Sequence, residues 1–156
     1  MPSVSLTDGI LYYAPRKVFI LLGVNDIGFR QWSKVEEYFA TMIDTVHEHC
    51  PDTEVIILGV LPITEKYCKE ERVTIERWNS FNAILEGICA EHGAAFLNFA
   101  DRMMDENGYL PRELTSDGAY HLSKAGFDIW IRAVRIFAAE RTEPDAAIQL
   151  SDTPGD

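Results

Sequence analysis

Val18-Phe19-Ile20-Leu21-Leu22, followed at once by Gly23-Val24-Asn25-Asp26, decides how the rest of the chain is read. The apolar run predicts a strand over 17–22, buried on both faces. Gly23 lets the backbone turn sharply off that strand, and Asn25 and Asp26 open a polar loop. Strands buried on both faces belong to parallel sheets covered by helices, where ligand chemistry collects at the carboxyl ends of the strands. Asn25 stands at such an end.

Working outward, strand and helix alternate. Ser33 is placed to cap a helix running to about His49, with Val35, Phe39, Met42, Ile43 and Val46 on one face, and Cys50-Pro51-Asp52 stops it. Glu54 to Val60 predicts a second buried strand, followed by a polar loop through Pro62, Lys66 and Lys69. A helix over roughly 71–92 aligns Trp78, Phe81, Leu85 and Ile88 and ends at Gly93, a residue suited to the left-handed cap. Ala94 to Asn98 predicts a short third strand. Residues 101–120 read as loop, with a turn at Asn107-Gly108, and Ser123 as the cap of a last helix carrying Trp130, Val134 and Phe137. Strands separated by full helices imply right-handed crossovers and a parallel sheet. Residues 1–140 are therefore expected to form one α/β domain and residues 141–156 a flexible acidic tail.

The 156 residues are 47% hydrophobic, enough for one core. Fourteen basic against 25 acidic residues give a formal charge of -11. Such a surface repels phosphate backbones and anionic headgroups, so neither nucleic acid nor a membrane is expected as a partner. No apolar run reaches the length of a membrane span, and residues 1–16 lack the basic start and long apolar centre of a signal peptide. Cys50, Cys68 and Cys89 are odd in number and lack Cys-x-x-Cys spacing, which fits a reducing, by default cytoplasmic, compartment. His47 and His49 beside Cys50 lie two apart on a helix. Their side chains then point in different directions, and no metal is expected there.

The second informative segment is Asp117-Gly118-Ala119-Tyr120-His121. His121 is the only histidine flanked by a carboxylate in a loop just before a helix, which makes it the best candidate for a general base. Asp117 would accept its hydrogen bond, fix its tautomer and favour the imidazolium. Asp117-Gly118 is also a natural turn former, and the two roles are compatible.

In this order the two segments resemble the third and fifth sequence blocks of the SGNH hydrolases, also called GDSL-type esterases. Leu58-Gly59-Val60-Leu61-Pro62 and Trp78-Asn79 through Asn82 are similar to the family as well, so the resemblance covers roughly residues 15–138. It implies a three-layer α/β sandwich of flavodoxin-like type with a parallel sheet. It also implies hydrolysis of an acyl or acetyl ester by a Ser-Asp-His triad, without metal or organic cofactor, on a small-molecule ester such as an O-acetylated carbohydrate. The same resemblance makes His121 the base and Asp117 its orienting carboxylate. Asn25 becomes an oxyanion-hole donor, with Gly23 and Asp26 shaping its loop. The family usually spaces its pair as Asp-x-x-His; here Gly118, Ala119 and Tyr120 intervene, and a bulged turn at Gly118 can absorb the extra residue.

A serine in a Gly-Asp-Ser-Leu context should come well before Asn25 and is missing. Ser5-Leu6-Thr7-Asp8-Gly9 echoes it, but Ser3-Val4 replace Gly-Asp. Residues 3–14 align better with a capped helix leading into the family's third strand, with Ser5 or Thr7 as the N-cap. The expectation is thus a family domain lacking its first two strands and its serine turn, with the nucleophile unassigned and Ser5 the remaining candidate. The 18–22 edge would then be open to self-association. The alternative is an inactive fragment or a non-catalytic binding relative of the same fold.

Overall fold

The apolar runs pair as one parallel sheet in the order β1-β2-β3, with β1 Lys17–Ile20, β2 Glu54–Leu58 and β3 Ala95–Leu97. The computed structural model describes residues 6–28, 31–71 and 73–141. Its helices are α1 Leu6–Tyr13, α2 Ser33–His49, α3 Glu65–Glu71, α4 Ile75–His92 and α5 Lys124–Glu140, with single 3-10 turns at Val24–Asp26, Ala100–Met103 and Arg112–Leu114.

Register sorts the side chains into two layers. Val18 lies opposite Val55, Ile20 opposite Ile57, and Ile57 opposite Phe96. These five face Phe39, Ile43 and Val46 of α2 and Trp78, Phe81 and Leu85 of α4. Leu97, one residue on and therefore on the other face, joins Phe99, Met103, Leu110 and the α5 residues Ile129, Trp130 and Ala133. Ile56, Ile57 and Leu58 of the central strand are fully buried, each stabilising the fold by about 1.5–3 kcal/mol. Helices thus cover both faces of a parallel sheet, the three-layer arrangement expected from the sequence.

Boundaries differ from the sequence expectations for local reasons. β1 stops at Ile20, two residues early, and Leu21 and Leu22 are exposed beyond the sheet. β2 stops at Leu58 because both backbone groups of Val60 pair with the Asn82 side chain rather than with a strand. α2 begins at Ser33, but Trp32 holds the N-cap position and Ser33 caps nothing. The expected polar loop through Lys66 and Lys69 is instead α3, laced by the exposed pairs Glu65–Lys69 at 2.7 Å and Lys66–Glu70 at 3.7 Å. α4 accordingly starts at Ile75 rather than 71, where the Thr74 hydroxyl accepts from Arg77 N. Gly93 ends it in the left-handed region, φ 73°, as expected.

The buried face of α5 is set by Gly126 and Ala133, while Trp130, Val134 and Phe137 are only half-buried. Gly126 lies so close to Leu114 O that a Cβ there would come within 2.6 Å. The helix therefore docks through its small residues and leaves Phe127 and Ile131 exposed. Thr7 lies within α1 and is not its cap; Ser5 and all but the first residue of the 141–156 tail fall outside the described residues. Cys50, Cys68 and Cys89 are free and buried, and burial, reinforced by Glu86, pushes the Cys89 thiol up to about 11. Among the described residues no helix is long and apolar enough to cross a membrane, and no three His, Cys, Asp or Glu side chains cluster as metal ligands.

Among the described residues β1 has a neighbour on one side only. Its outer backbone groups form an open template next to exposed Leu21 and Leu22. Sedimentation velocity of the purified chain should show association that grows with added salt, because screening weakens repulsion between acidic copies. Leu21→Lys/Leu22→Lys should return it to monomer. A chain monomeric at all salt concentrations would show that the edge is covered.

Candidate active site

The loop leaving β1 is built around Gly23. Its φ of 109° lies in the left-handed region, and a Cβ there would sit 2.7 Å from Phe81 Cε1. A side chain is excluded twice, by backbone conformation and by the core beneath. Gly23 O accepts from Asp26 N at 2.9 Å, closing the Val24–Asp26 turn. Two long side chains hold the turn from outside. The Trp32 indole donates to Asp26 O at 3.0 Å, and Arg77 Nε donates to Ile27 O at 2.5 Å while its guanidinium lies 4.3 Å over the Trp32 ring. Burial raises the Asp26 carboxyl above its ordinary value.

Asn25, at the centre of this turn, borders two cavities. One of about 530 Å³ is lined also by Leu22, Lys34 and Phe39; the other, of about 100 Å³, by Val24, Ile63, Tyr67 and Val73.

The second segment forms a closed turn. Thr115 and Leu122 bridge in antiparallel fashion, and Ser116 N donates to His121 O at 2.8 Å. Gly118 takes the left-handed step, φ 78°, that accommodates the extra residue between Asp117 and His121. The pair then meets: His121 Nδ1 donates to Asp117 Oδ2 at 2.5 Å. The other oxygen, Oδ1, accepts from Ala119 N at 2.8 Å. The Ala119 amide first, and the His121 ring second, lower the Asp117 carboxyl to about 2. An ionised Asp117 can only accept, which places a proton on Nδ1, so that in the neutral ring Nε2 is the acceptor.

The turn is moored at three points that the sequence did not single out. Arg112 donates to both Thr115 O and Thr115 Oγ1 at 3.1 Å; Thr115 Oγ1 accepts from Gly118 N at 2.9 Å; Thr64 bonds the turn from the loop after β2. Single threonines and an arginine without a motif carry no pattern by which sequence could have found them.

Aromatic contacts link the two segments. The Tyr67 ring, which borders the smaller Asn25 cavity, packs edge-on against Tyr120 at 5.1 Å, and Tyr120 lies 4.4 Å from the His121 ring. Asn25 and His121 thus share the carboxyl end of the sheet, with His121 exposed to solvent. Among the described residues no Ser or Thr hydroxyl bonds the His121 ring, and Ser5 lies outside them.

Residues 5–129 match the model of the GDSL-like Lipase/Acylhydrolase family. Among solved structures, a protein assigned as a platelet activating factor from Streptococcus pneumonia is 26% identical with TM-score 0.72, over 84% of this chain and 67% of that one. The lipase/acylhydrolase from Enterococcus faecalis is 21% identical with TM-score 0.67, over 89% and 69%. The OSK domain of Drosophila Oskar is 15% identical with TM-score 0.60, over 77% and 60%. The last two likenesses bear on fold alone. This chain spans about two thirds of the length of such structures. Among curated proteins no sequence matches.

The lowered Asp117 carboxyl has a testable consequence for stability. A carboxyl with a depressed folded-state pKa stabilises the fold above its unfolded value, near 3.8, and that contribution is lost as pH falls through about 2. Thermal unfolding of the chain and of Asp117→Asn should differ at pH 5, and the difference should shrink between pH 4 and 2. A gap independent of pH in that window would mean that Asp117 is not held as the ionised partner of Ala119 and His121.

Proposed function

Because the chain belongs to the GDSL-like lipase/acylhydrolase family, we propose that it carries the histidine–aspartate pair and the oxyanion donor of an ester-hydrolysing triad. The observation that supports this best is the 2.5 Å bond between His121 Nδ1 and Asp117 Oδ2, formed at the same end of the sheet as Asn25. Nε2 of His121 would take the proton of a hydroxyl as its oxygen attacks the ester carbonyl. Asp117 would stabilise the resulting imidazolium, and the Asn25 amide would hold the negative oxygen of the tetrahedral intermediate. Nε2 then returns its proton to the departing alcohol. Water repeats the cycle on the acyl intermediate, releasing the acid and restoring the hydroxyl.

Small acyl or acetyl esters, including O-acetylated carbohydrates, are the proposed substrates. The two cavities beside Asn25 suit one compact acyl group and a larger leaving group. No metal or organic cofactor enters these steps.

A second reading, an inactive or binding relative of the same fold, is favoured by one observation: no Ser or Thr hydroxyl among the described residues bonds the His121 ring. On that basis the 156-residue chain alone should hydrolyse p-nitrophenyl acetate no faster than its His121→Ala variant. A clear rate lost in both His121→Ala and Ser5→Ala would instead identify Ser5 as the nucleophile.

A further inference from the structure

Thr64 lies immediately before α3, buried, 54 residues before Gly118 of the Asp117 turn. Its hydroxyl donates to Gly118 O at 2.7 Å, and its amide donates to Ala119 O at 3.0 Å. The same hydroxyl accepts from Tyr67 N at 3.2 Å, which fixes the direction in which its proton can point. The carbonyl of Gly118 and the N–H of Ala119 are the two ends of one peptide unit. In a trans peptide they point in opposite directions. With the oxygen end held by Thr64, the N–H end is aimed at Asp117 Oδ1, where it lies at 2.8 Å. That N–H is the foremost cause of the lowered Asp117 carboxyl, and Oδ2 of the same carboxylate receives His121 Nδ1.

We propose that Thr64 is a positioning residue for the Asp117–His121 pair, acting through the peptide unit between Gly118 and Ala119. A chain of hydrogen bonds runs from the core to the imidazole: Thr64 hydroxyl, Gly118 carbonyl, Ala119 amide, Asp117 carboxylate, His121 ring. A donor on the carbonyl polarises the peptide and strengthens the opposite N–H, so the links reinforce one another. The buried anchor explains how an exposed pair keeps one geometry with no covering element among the described residues. Arg112 is the other charged group against the turn, and its guanidinium is engaged by Thr115, leaving Thr64 as the direct hold on the carbonyl of this peptide. This inference rests on the pair being the acid–base element proposed above.

The experiment follows the Asp117 carboxyl carbon by NMR as a function of pH in the full chain and its variants. The unchanged chain should titrate at about 2. Thr64→Val, which keeps the shape and the main-chain amide but loses the hydroxyl, should raise that midpoint by about one pH unit toward the ordinary value. Thr64→Ser should restore it. If valine prevents folding, Thr64→Ala is measured in its place and the same rise is expected. Asp105→Ala serves as the control for general loosening: it removes the acceptor of Asn107 N and Tyr109 N in a different turn, and should cost stability while leaving Asp117 at about 2. A midpoint unchanged by loss of the hydroxyl, or moved as far by Asp105→Ala, overturns the proposal whatever the esterase assay reports. A midpoint that follows Thr64 supports it even if ester hydrolysis proves independent of His121, an outcome that would remove the catalytic reading alone.

Discussion

The carboxamide of Asn82 accepts from Val60 N at 2.8 Å and donates to Val60 O at 3.2 Å, buried between α4 and the exit of β2. Four residues earlier on the same helix, the Trp78 indole donates to Leu61 O at 2.9 Å. Leaving such a buried group without a partner would cost about 1–3 kcal/mol, so the two side chains dictate where the central strand stops and how the chain leaves it. Gly59 fits this crossing because a Cβ would press on Asn82 and Asn98 at 3.1–3.3 Å. The course of the loop that follows β2 is set by that exit. Residues 61–64 emerge in a fixed path, Thr64 meets the turn at 118–119, and Tyr67 reaches both Tyr120 and the Asn25 cavity.

The two halves of the site are stabilised differently. The Asn25 turn is held by packing: a glycine pressed on Phe81, with Trp32 and Arg77 stacked outside. The His121 turn is held by hydrogen bonds from Thr64, Thr115 and Arg112 and touches the body of the fold through few side chains. Loss of a core residue near Phe81 therefore disturbs the first half, while removal of a single hydroxyl disturbs the second. Among the described residues the β1 edge is open on the side of the sheet away from β3 and runs into the Asn25 turn through Leu22, which also lines the larger cavity.

Most of the architecture was legible in the sequence because it depends on periodicity. The continuous apolar runs of β1 and β2, the face of α4 and the glycine cap at Gly93 all follow from which residues can be buried and which can adopt positive φ. Asp117 and His121 were legible from their order before a capped helix, and Gly118 explains why one extra residue does no harm. What escaped was set by tertiary contacts. α3 is polar on every turn and looks like loop until Thr64 and two Glu–Lys pairs are seen to hold it. Trp32 displaced Ser33 at the start of α2 because its ring is claimed by Arg77 and Asp26. The buried face of α5 was misplaced because docking on Leu114 selects small residues, which a search for large apolar ones passes over.

Asn25 and His121, ninety-odd residues apart in sequence, are linked at the carboxyl end of the sheet through Tyr67 and Tyr120. The most direct measurement is the network of nuclear Overhauser effects among these four side chains in the folded chain. This arrangement requires cross-peaks from Tyr67 to Tyr120, from Tyr120 to the His121 ring, and from the Tyr67 ring to Val24 or Asn25. Cross-peaks placing the His121 turn against the start of β1, with none between Tyr67 and either segment, would contradict it.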